Sequence, residues 1–331
     1  MQLLGVLIII KFMNLISKMI DEITKKLDHK KIKFDNLQFL AGDASDRKYF
    51  LIKQQNNTNV LMVDKNSENL ERFLKISYLL KEHVSIPEII TDLKEDDILI
   101  IENFNKNKFS EVLKKSNRIK LYKVALDALL YIHKKKINKK LVQYSKKIFF
   151  DESNLFFDWY LDLSKKRVEL LKNEFNSIFS GFLDKVYLLP SVFIHRDYHI
   201  DNLFYLKEKE KHFKCGWIDY QDALVGPCVY DVVSLAQDAR IDVEKRTENF
   251  LIKYYLDNFK YIDKDLFLFS YTVIAIQRHL KVLGIFKRLE IRDNKKNYIK
   301  HIPRVLRLLE FNLKKNKFSP LYKILEKPLG L

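Results

Sequence analysis

VFIHRDYHIDNLFYL, residues 192–206, places a polar loop between two short apolar runs. The flanking runs have the β-branched and aromatic composition that is typical of strands. Between them lie His195, Asp197 and Asn202, three side chains that can hold protons or metal ions. A polar turn and a catalytic loop both fit this segment alone, so the rest of the chain has to distinguish them.

A second polar segment, GWIDYQD, follows and ends a predicted strand at Asp219. Asp197 and Asn202 have the D-x-x-x-x-N spacing of a kinase catalytic loop, in which the Asp meets the acceptor and the Asn binds metal. Asp219 is apt as a second metal ligand because Mg²⁺ prefers hard oxygen donors. Each residue alone is more often a cap or turn residue. Together with His195, in this order, they predict phosphoryl transfer.

The roles of three polar residues within or after this motif are less direct. His195 could act as a base, but its place two residues before Asp197 favours a structural role in holding the loop. Asp231, in YDVVSL at a predicted helix start, is either an N-cap or a buried brace for the loop. His199 has no role in a mechanism that the sequence supports.

The composition indicates a globular protein. The 331 residues are 47% hydrophobic and predict one large domain or two closely associated lobes. The net charge of +17 comes mainly from lysines spread along every segment, which favours a solvated surface over a specific nucleic-acid site. The two cysteines have no metal-binding or disulfide spacing, which fits a reducing cytoplasm.

The N-terminal sequence MQLLGVLIIIKFMNLISKM resembles a secretion signal only superficially. Its apolar run is too short to span a bilayer, and no basic segment precedes it or small-residue cleavage site follows it. Residues 1–30 are predicted to be an extension or a helix, with Met13 or Met19 as the preferred start. We expect no membrane association and a cytoplasmic location.

The next segments are rich in predicted strands. Residues 36–53 place apolar residues on both sides of a polar turn, and residues 59–64 form a third strand. An amphipathic helix follows, capped by Asn66 or Ser67. SIPEII then leads to DDILIIENF, which is predicted to be one strand that runs into a polar linker.

This order is the outline of a kinase-like N-terminal lobe, which we place at residues 31–105. Helical periodicity dominates residues 106–331, with short strands only around 192–219. The predicted fold class is therefore α+β: a bilobal protein-kinase-like fold with a small β-rich N-lobe and a larger, mostly helical C-lobe.

Four segments carry a family resemblance: LAGDASDRKYF, HRDYHIDNLFYL, GWIDYQDALVGPCVYDVVSLAQD and QRHLKVLGIFKRL. Together they resemble the aminoglycoside phosphotransferase superfamily over roughly residues 35–310. More narrowly, they resemble the anomeric kinases that act on N-acetylmuramate and N-acetylglucosamine in peptidoglycan recycling. The resemblance implies ATP and Mg²⁺ as cofactors, a small amino sugar as substrate, and nucleotide binding between two lobes.

The resemblance also implies roles for individual residues. Asp197 corresponds to the catalytic base, and Asn202 and Asp219 correspond to the magnesium ligands. The turn AGDASDRKY would cover the phosphates through backbone N–H groups, which bind phosphate whatever the side chain. The segment IIENF would receive adenine. The nucleotide contacts implied in these two segments are Ala44, Ser45, Glu102, Asn103 and Phe104.

One departure concerns the lysine that usually binds phosphate on the strand NVLMVD. This chain has apolar residues there. Lys65, just beyond the strand, is the candidate replacement. Glu68 at the helix start is either its partner or a solvent-facing residue.

The segment QRHLKVLGIFKRL, residues 277–289, has helical spacing. It is interpreted either as a core helix with a basic outer face or as a substrate-binding element. In the second interpretation, Arg278 or His279 meets a substrate carboxylate, such as the lactyl group of muramate. Asp222, in DYQDALVGP, is a further candidate for substrate contact.

Two alternatives stay open at this point. The acceptor could be another small alcohol, such as an aminoglycoside, choline or homoserine. The missing strand lysine and the positive charge also allow a catalytically inactive protein that binds nucleotide or RNA. Against inactivity, the acid and both metal ligands are present. The sequence does not decide the preferred sugar or the oligomeric state.

Overall fold

The structure is a computed structural model that describes residues 2–42, 47–135 and 141–331, with side chains from Met13 onward. The chain divides into two compact units. The first comprises Met1–Lys81 and Ile86–Asn105, and the second comprises Glu82–Ser85 and Lys106–Leu331.

The first unit is built on a five-stranded antiparallel sheet. Its strands are β1 (Asn36–Gly42), β2 (Lys48–Gln54), β3 (Asn57–Val63), β4 (Ile89–Leu93) and β5 (Ile98–Ile101), in the order β1-β2-β3-β5-β4. Its helices are α1 (Gln2–His29) and α2 (Ser67–Leu80). Asn66 caps α2 by accepting hydrogen bonds from the backbone N–H groups of Glu68 and Asn69, so Asn66 is the cap of the two predicted candidates.

The prediction of one strand after α2 was wrong, because the structure has two. β4 and β5 pair as antiparallel neighbours, and β4 lies at the edge of the sheet. No residue of β4 is fully buried, whereas all four residues of β5 are. A half-exposed edge strand carries a weak hydrophobic pattern, which explains why only β5 was evident from the sequence.

Helix α1 covers one face of this sheet. Ile23 and Leu27, one turn apart, pack with Leu37, Phe50 and Leu61 in a shared core. The segment predicted as an extension or a helix is thus a helix, and its second half belongs to the hydrophobic core of the first unit.

The second unit is mostly helical. Its helices are α3 (Phe109–Val112), α4 (Arg118–His133), α5 (Lys146–Leu155), α6 (Lys165–Val186), α7 (Tyr230–Ala236), α8 (Lys245–Asn258), α9 (Lys264–Ile291), α10 (Ile302–Leu313) and α11 (Ser319–Leu329). Four short strands form two antiparallel pairs: β6 (Ser191–Ile194) with β9 (Leu224–Pro227), and β7 (Leu203–Tyr205) with β8 (Cys215–Trp217). The short strands predicted around 192–219 are confirmed.

Helix α9 is the central helix of this unit. Among the described residues it is the one helix long and apolar enough to cross a membrane by length and composition. However, 78% of its most apolar window is buried inside the protein. This burial is typical of a core helix, so the composition of α9 is weak evidence for a membrane span.

Gly284 allows α9 to approach α5 at the level of the backbone. A Cβ atom at Gly284 would lie 2.3 Å from the carbonyl carbon of Leu155 and 2.6 Å from the backbone nitrogen of Phe156. At this point α5 passes into a single π-helical turn, Phe156–Tyr160. The close approach needs a residue without a side chain, and it helps place polar residues of α9 next to α5.

We predict that Gly284→Ala destabilises the protein, because Leu155 presents rigid backbone rather than a flexible side chain. The free energy of unfolding, measured with urea, should fall by about 1–3 kcal/mol, as for other overpacked cores. Gly181→Ala is the matched control. Gly181 is an exposed residue of α6, and a Cβ atom there would have no neighbour within 4 Å. Alanine at this position should therefore raise the free energy of unfolding by about 0.5–1 kcal/mol. Equal effects of the two substitutions would contradict the close-packing argument.

Candidate active site

Two residues in or near the predicted motif have a strained backbone, one in the loop between β6 and β7 and one directly after β8. Arg196 has φ of 75°, and Asp219, which follows β8, has φ of 61°. Residues other than glycine rarely adopt this left-handed region, and such residues concentrate at functional sites. Surrounding contacts therefore have to hold both residues in place.

Asp231, at the start of α7, supplies one of these contacts. Its carboxylate accepts hydrogen bonds from the backbone N–H groups of His195, at 2.6 Å, and Arg196, at 3.0 Å. The side chain is fully buried, and burial raises the pKa of Asp231 to about 7 against the opposing effect of these donors. The carboxyl group bridges helix α7 and the loop.

His195 is also held from the main chain. Its Nε2 lies 3.0 Å from the carbonyl oxygen of Ile218, which can only accept, so Nε2 carries the proton. Burial lowers the pKa of His195 to about 4, and the ring is therefore neutral. These contacts link the loop to Ile218, the residue before Asp219. They fit a structural role for His195 in holding the loop.

The structure brings together the three residues at the centre of the motif. The Nδ2 atom of Asn202 lies 3.0 Å from the backbone oxygen of Asp197 and 3.4 Å from Oδ2 of Asp219. Gln221 donates to the other carboxylate oxygen of Asp219 at 2.9 Å. The side chain of Asn202 thus joins the backbone of Asp197 to the carboxylate of Asp219 within the second unit.

Asp197 is an ionised carboxylate although it is half-buried. Partial burial opposes ionisation, but nearby charges, of which Lys281 has the largest effect, outweigh it and hold the pKa of Asp197 well below its ordinary value. The group is therefore ready to accept a proton or a hydrogen bond from a bound hydroxyl.

The donor set fits a magnesium ion that keeps several non-protein ligands. In the described part of the chain, no group of three or more His, Cys, Asp or Glu side chains could form a closed metal site. Asn202 and Asp219 instead provide neighbouring amide and carboxylate oxygens. Mg²⁺ is commonly held by one or two such side chains while phosphates and water complete its coordination.

A buried ionic cluster lies beside the loop and was not found from the sequence. Glu152 on α5 accepts hydrogen bonds from Lys281 at 3.0 Å and Gln277 at 3.2 Å, both on α9, and also from Arg196 and Tyr144. Burial raises the pKa of Glu152, but the two cations lower it to about 2. The cluster connects Arg196, in the loop between β6 and β7, to helix α9, which Gly284 allows to approach α5 closely.

The predicted substrate residues have different surroundings. Arg278 donates to the backbone oxygen of Arg196 at 2.7 Å and to Oγ of Ser234 at 2.5 Å. Asp222 accepts a hydrogen bond from Arg196 through its backbone oxygen at 3.1 Å. Both residues therefore contact the loop.

His279 faces a different part of the second unit. Its Nε2 lies 2.9 Å from Oε1 of Gln237, which also accepts from Asn312. The side chain is 2% exposed, and burial lowers the pKa of His279 to about 3. This environment is that of a neutral core histidine.

The six predicted nucleotide contacts all belong to the first unit. Ala44 and Ser45 lie outside the described residues. Lys65 is exposed after β3, and the apolar residues at the end of that strand are buried. Arg47, which the sequence analysis did not single out, is buried and forms an ion pair with Asp64, with Nε 3.1 Å from Oδ2.

The predicted adenine-binding segment follows β5. Glu102 exchanges hydrogen bonds with Glu88: its N–H donates to the backbone oxygen at 2.8 Å, and its carboxylate accepts from the N–H at 3.2 Å. Asn103 accepts from the N–H of Asn105 at 2.8 Å, and Phe104 is buried. These bonds define the backbone path of the segment.

Solved structures of other phosphotransferases share this fold. A choline kinase from Streptococcus pneumoniae matches with a TM-score of 0.65 and 13% identity, covering 89% of this chain and 99% of the kinase. The GDP complex of wild-type aminoglycoside 2'-phosphotransferase-IIIa matches with a TM-score of 0.62 and 15% identity, covering 90% of this chain and 99% of that chain. The predicted α+β kinase-like fold is confirmed.

Sequence relatives extend over most of the chain. An N-acetylmuramate/N-acetylglucosamine kinase of Pseudomonas aeruginosa is 31% identical, covering 82% of this chain and 81% of the relative. A protein of the same description from Neisseria meningitidis is 27% identical, covering 89% and 91%. The model of the phosphotransferase enzyme family matches residues 36–261, which include all three central motif residues. The chain belongs to the phosphotransferase enzyme family.

Proposed function

We propose that this phosphotransferase transfers the γ-phosphate of ATP to the anomeric hydroxyl of N-acetylmuramate or N-acetylglucosamine. The observation that carries the proposal is the side chain of Asn202, which bonds both the backbone of Asp197, a residue with an ionised carboxylate, and the carboxylate of Asp219. The acceptor is proposed from the descriptions of the sequence relatives. The resemblance of the four sequence segments to anomeric sugar kinases supports the position of transfer.

In the proposed reaction, Asp197 accepts the proton of the sugar hydroxyl. The hydroxyl oxygen then forms a bond to the γ-phosphorus while the bond between that phosphorus and the ADP oxygen breaks. Asn202 and Asp219 would hold Mg²⁺, which offsets negative charge on the phosphates when bound. The low pKa of Asp197 favours its ionised form before the sugar binds.

The nucleotide contacts remain part of this proposal. Backbone N–H groups near Ala44 and Ser45 would bind phosphate, and Glu102, Asn103 and Phe104 would contact adenine. Lys65 stays the candidate cation because its side chain is exposed at the end of β3. Arg47 directly precedes β2, and Asp64 directly follows β3. Their buried ion pair supports a role for Arg47 in fixing the position of the start of β2.

For the substrate, we favour Arg278 over His279 near the sugar site. Arg278 contacts the backbone of the catalytic loop, which supports a place near the acceptor, as does the contact of Asp222 with Arg196. The hydrogen bond of His279 to Gln237 supports the core interpretation. The cytoplasmic location is proposed from the two free, buried cysteines and the requirement for ATP.

We expect the purified protein to consume ATP with N-acetylmuramate or N-acetylglucosamine and to yield the 1-phosphate, identified by NMR. Asp197→Asn should reduce kcat by about 10²–10⁴-fold, because it removes the proton acceptor. Asp201→Asn is the matched control, since Asp201 lies in the same loop but is half-exposed and pairs with Arg240. It should retain the parent kcat.

An acceptor panel in the same assay tests the substrate class. Phosphorylation of choline, homoserine or an aminoglycoside, with neither amino sugar accepted, would reject the sugar-kinase proposal. Full activity in Asp197→Asn would reject Asp197 as the base.

The pH dependence of stability separates the two interpretations of His279. Its folded-state pKa of about 3 lies below the ordinary value near 6.5, so the unfolded chain binds a proton first as pH falls. The stabilising contribution is complete above pH 6.5 and is lost as pH falls towards 3. Between pH 7 and 5, the parent should lose about 2 kcal/mol more unfolding free energy than His279→Gln.

Urea unfolding at several pH values provides this measurement. Glutamine can still donate to Gln237, so the variant keeps the hydrogen bond and loses only the titration. A histidine exposed to solvent and substrate would titrate near its ordinary pKa in both states. Parallel pH profiles for the parent and His279→Gln would therefore contradict the core interpretation.

A further inference from the structure

The side-chain amide of Asn202 has a defined orientation. Its Nδ2 atom faces the backbone oxygen of Asp197 and the carboxylate of Asp219. A backbone carbonyl oxygen only accepts hydrogen bonds, so the group that faces it must be the NH₂. The Oδ1 atom of Asn202 is consequently not used in either of these two hydrogen bonds.

His199 is a third neighbour of the same NH₂ group. Its Nε2 lies 3.3 Å from Nδ2 of Asn202. Because the NH₂ only donates, Nε2 must be the unprotonated acceptor and the ring proton must reside on Nδ1. Among the described residues, Nδ1 has no hydrogen-bond partner although the ring is buried. Packing alone does not explain such an unsatisfied donor.

The main chain holds His199 next to Asn202. The N–H of His199 donates to the backbone oxygen of Asp197 at 3.0 Å, and the carbonyl of His199 accepts from the N–H of Asn202 at 2.9 Å. Only 4% of the residue is exposed, so the ring has little freedom to turn away. The imidazole and the amide therefore form a fixed pair.

The two hydrogens of the Asn202 NH₂ group have three acceptors. One hydrogen goes to the backbone oxygen of Asp197, which is nearest. The other lies between Nε2 of His199, at 3.3 Å, and Oδ2 of Asp219, at 3.4 Å. Without the imidazole, this hydrogen would go to Asp219 and occupy a lone pair on an oxygen needed for the cation.

We propose that His199 is a positioning residue that accepts this hydrogen, so that Oδ1 of Asn202 and Oδ2 of Asp219 are both directed to a divalent cation. The inference deepens the proposed function and rests on its assignment of Asn202 and Asp219 as metal ligands. Replacing a residue that orients a metal ligand through a hydrogen bond commonly changes metal affinity by about 10–100-fold.

Binding of Mn²⁺ alone, followed by electron paramagnetic resonance, tests the proposal without turnover. Mn²⁺ uses the oxygen ligands that suit Mg²⁺. His199→Leu should weaken Mn²⁺ binding at least about tenfold, because leucine cannot accept a hydrogen bond. His199→Gln should recover most of this loss, since the amide oxygen of glutamine can take the place of Nε2.

His133→Leu is the control for burying leucine in place of histidine. His133 is buried in the same unit and bonds to Tyr255, not to a metal ligand. The substitution His133→Leu should lower the melting temperature and leave the Mn²⁺ affinity at the parent value. Melting temperatures of all variants establish that the proteins are folded under the conditions of the titration.

The outcomes separate this inference from the proposed function. Parent-like binding in His199→Leu, with binding lost in Asn202→Ala, would overturn the role of His199 and leave the proposed function intact. Parent-like binding in Asn202→Ala would overturn the ligand assignment and the inference together. Nitrogen-15 NMR provides an independent test: a proton on Nε2 of His199 would also overturn the proposal.

Discussion

The site depends on two hydrogen bonds that the carboxylate of Asp231 accepts from backbone N–H groups. They hold His195 and Arg196 at the point where the chain leaves β6 and enters the left-handed region. Asp197 is the next residue, so its direction follows from this anchor. A buried acceptor of two N–H groups fixes backbone more firmly than a surface contact, because losing it would leave both donors unsatisfied.

The remaining elements act on the same loop from other sides. Arg278 donates to the backbone oxygen of Arg196, and the guanidinium of Arg196 donates to Glu152 on α5. Lys281 also donates to Glu152, and its charge is the largest of those that lower the pKa of Asp197. Helices α5, α7 and α9 thus hold the loop through hydrogen bonds, and charged side chains of α9 help to keep the half-buried carboxylate of Asp197 ionised.

The predictable parts of the protein were those with local signals. Strand alternation, the cap at Asn66 and the spacing of Asp197, Asn202 and Asp219 each lie within a short segment of sequence. Edge strand β4 was missed because its side chains are half exposed. Glu152 and Lys281 were missed because they are 129 positions apart and meet only through helix packing, which no local pattern records. Arg278 and His279 are adjacent, and their surroundings differ because successive helical residues face different neighbours.

The left-handed backbone at Arg196 and Asp219 has a consequence for the stability of the protein. At such angles glycine would relieve strain and is often a stabilising replacement. Here each position carries a side chain that the site uses: a guanidinium bonded to Glu152 and a carboxylate beside Asn202. Replacing either residue with glycine would therefore relax the backbone but remove one of these contacts, so greater stability at these two positions would come at the expense of the arrangement of the site.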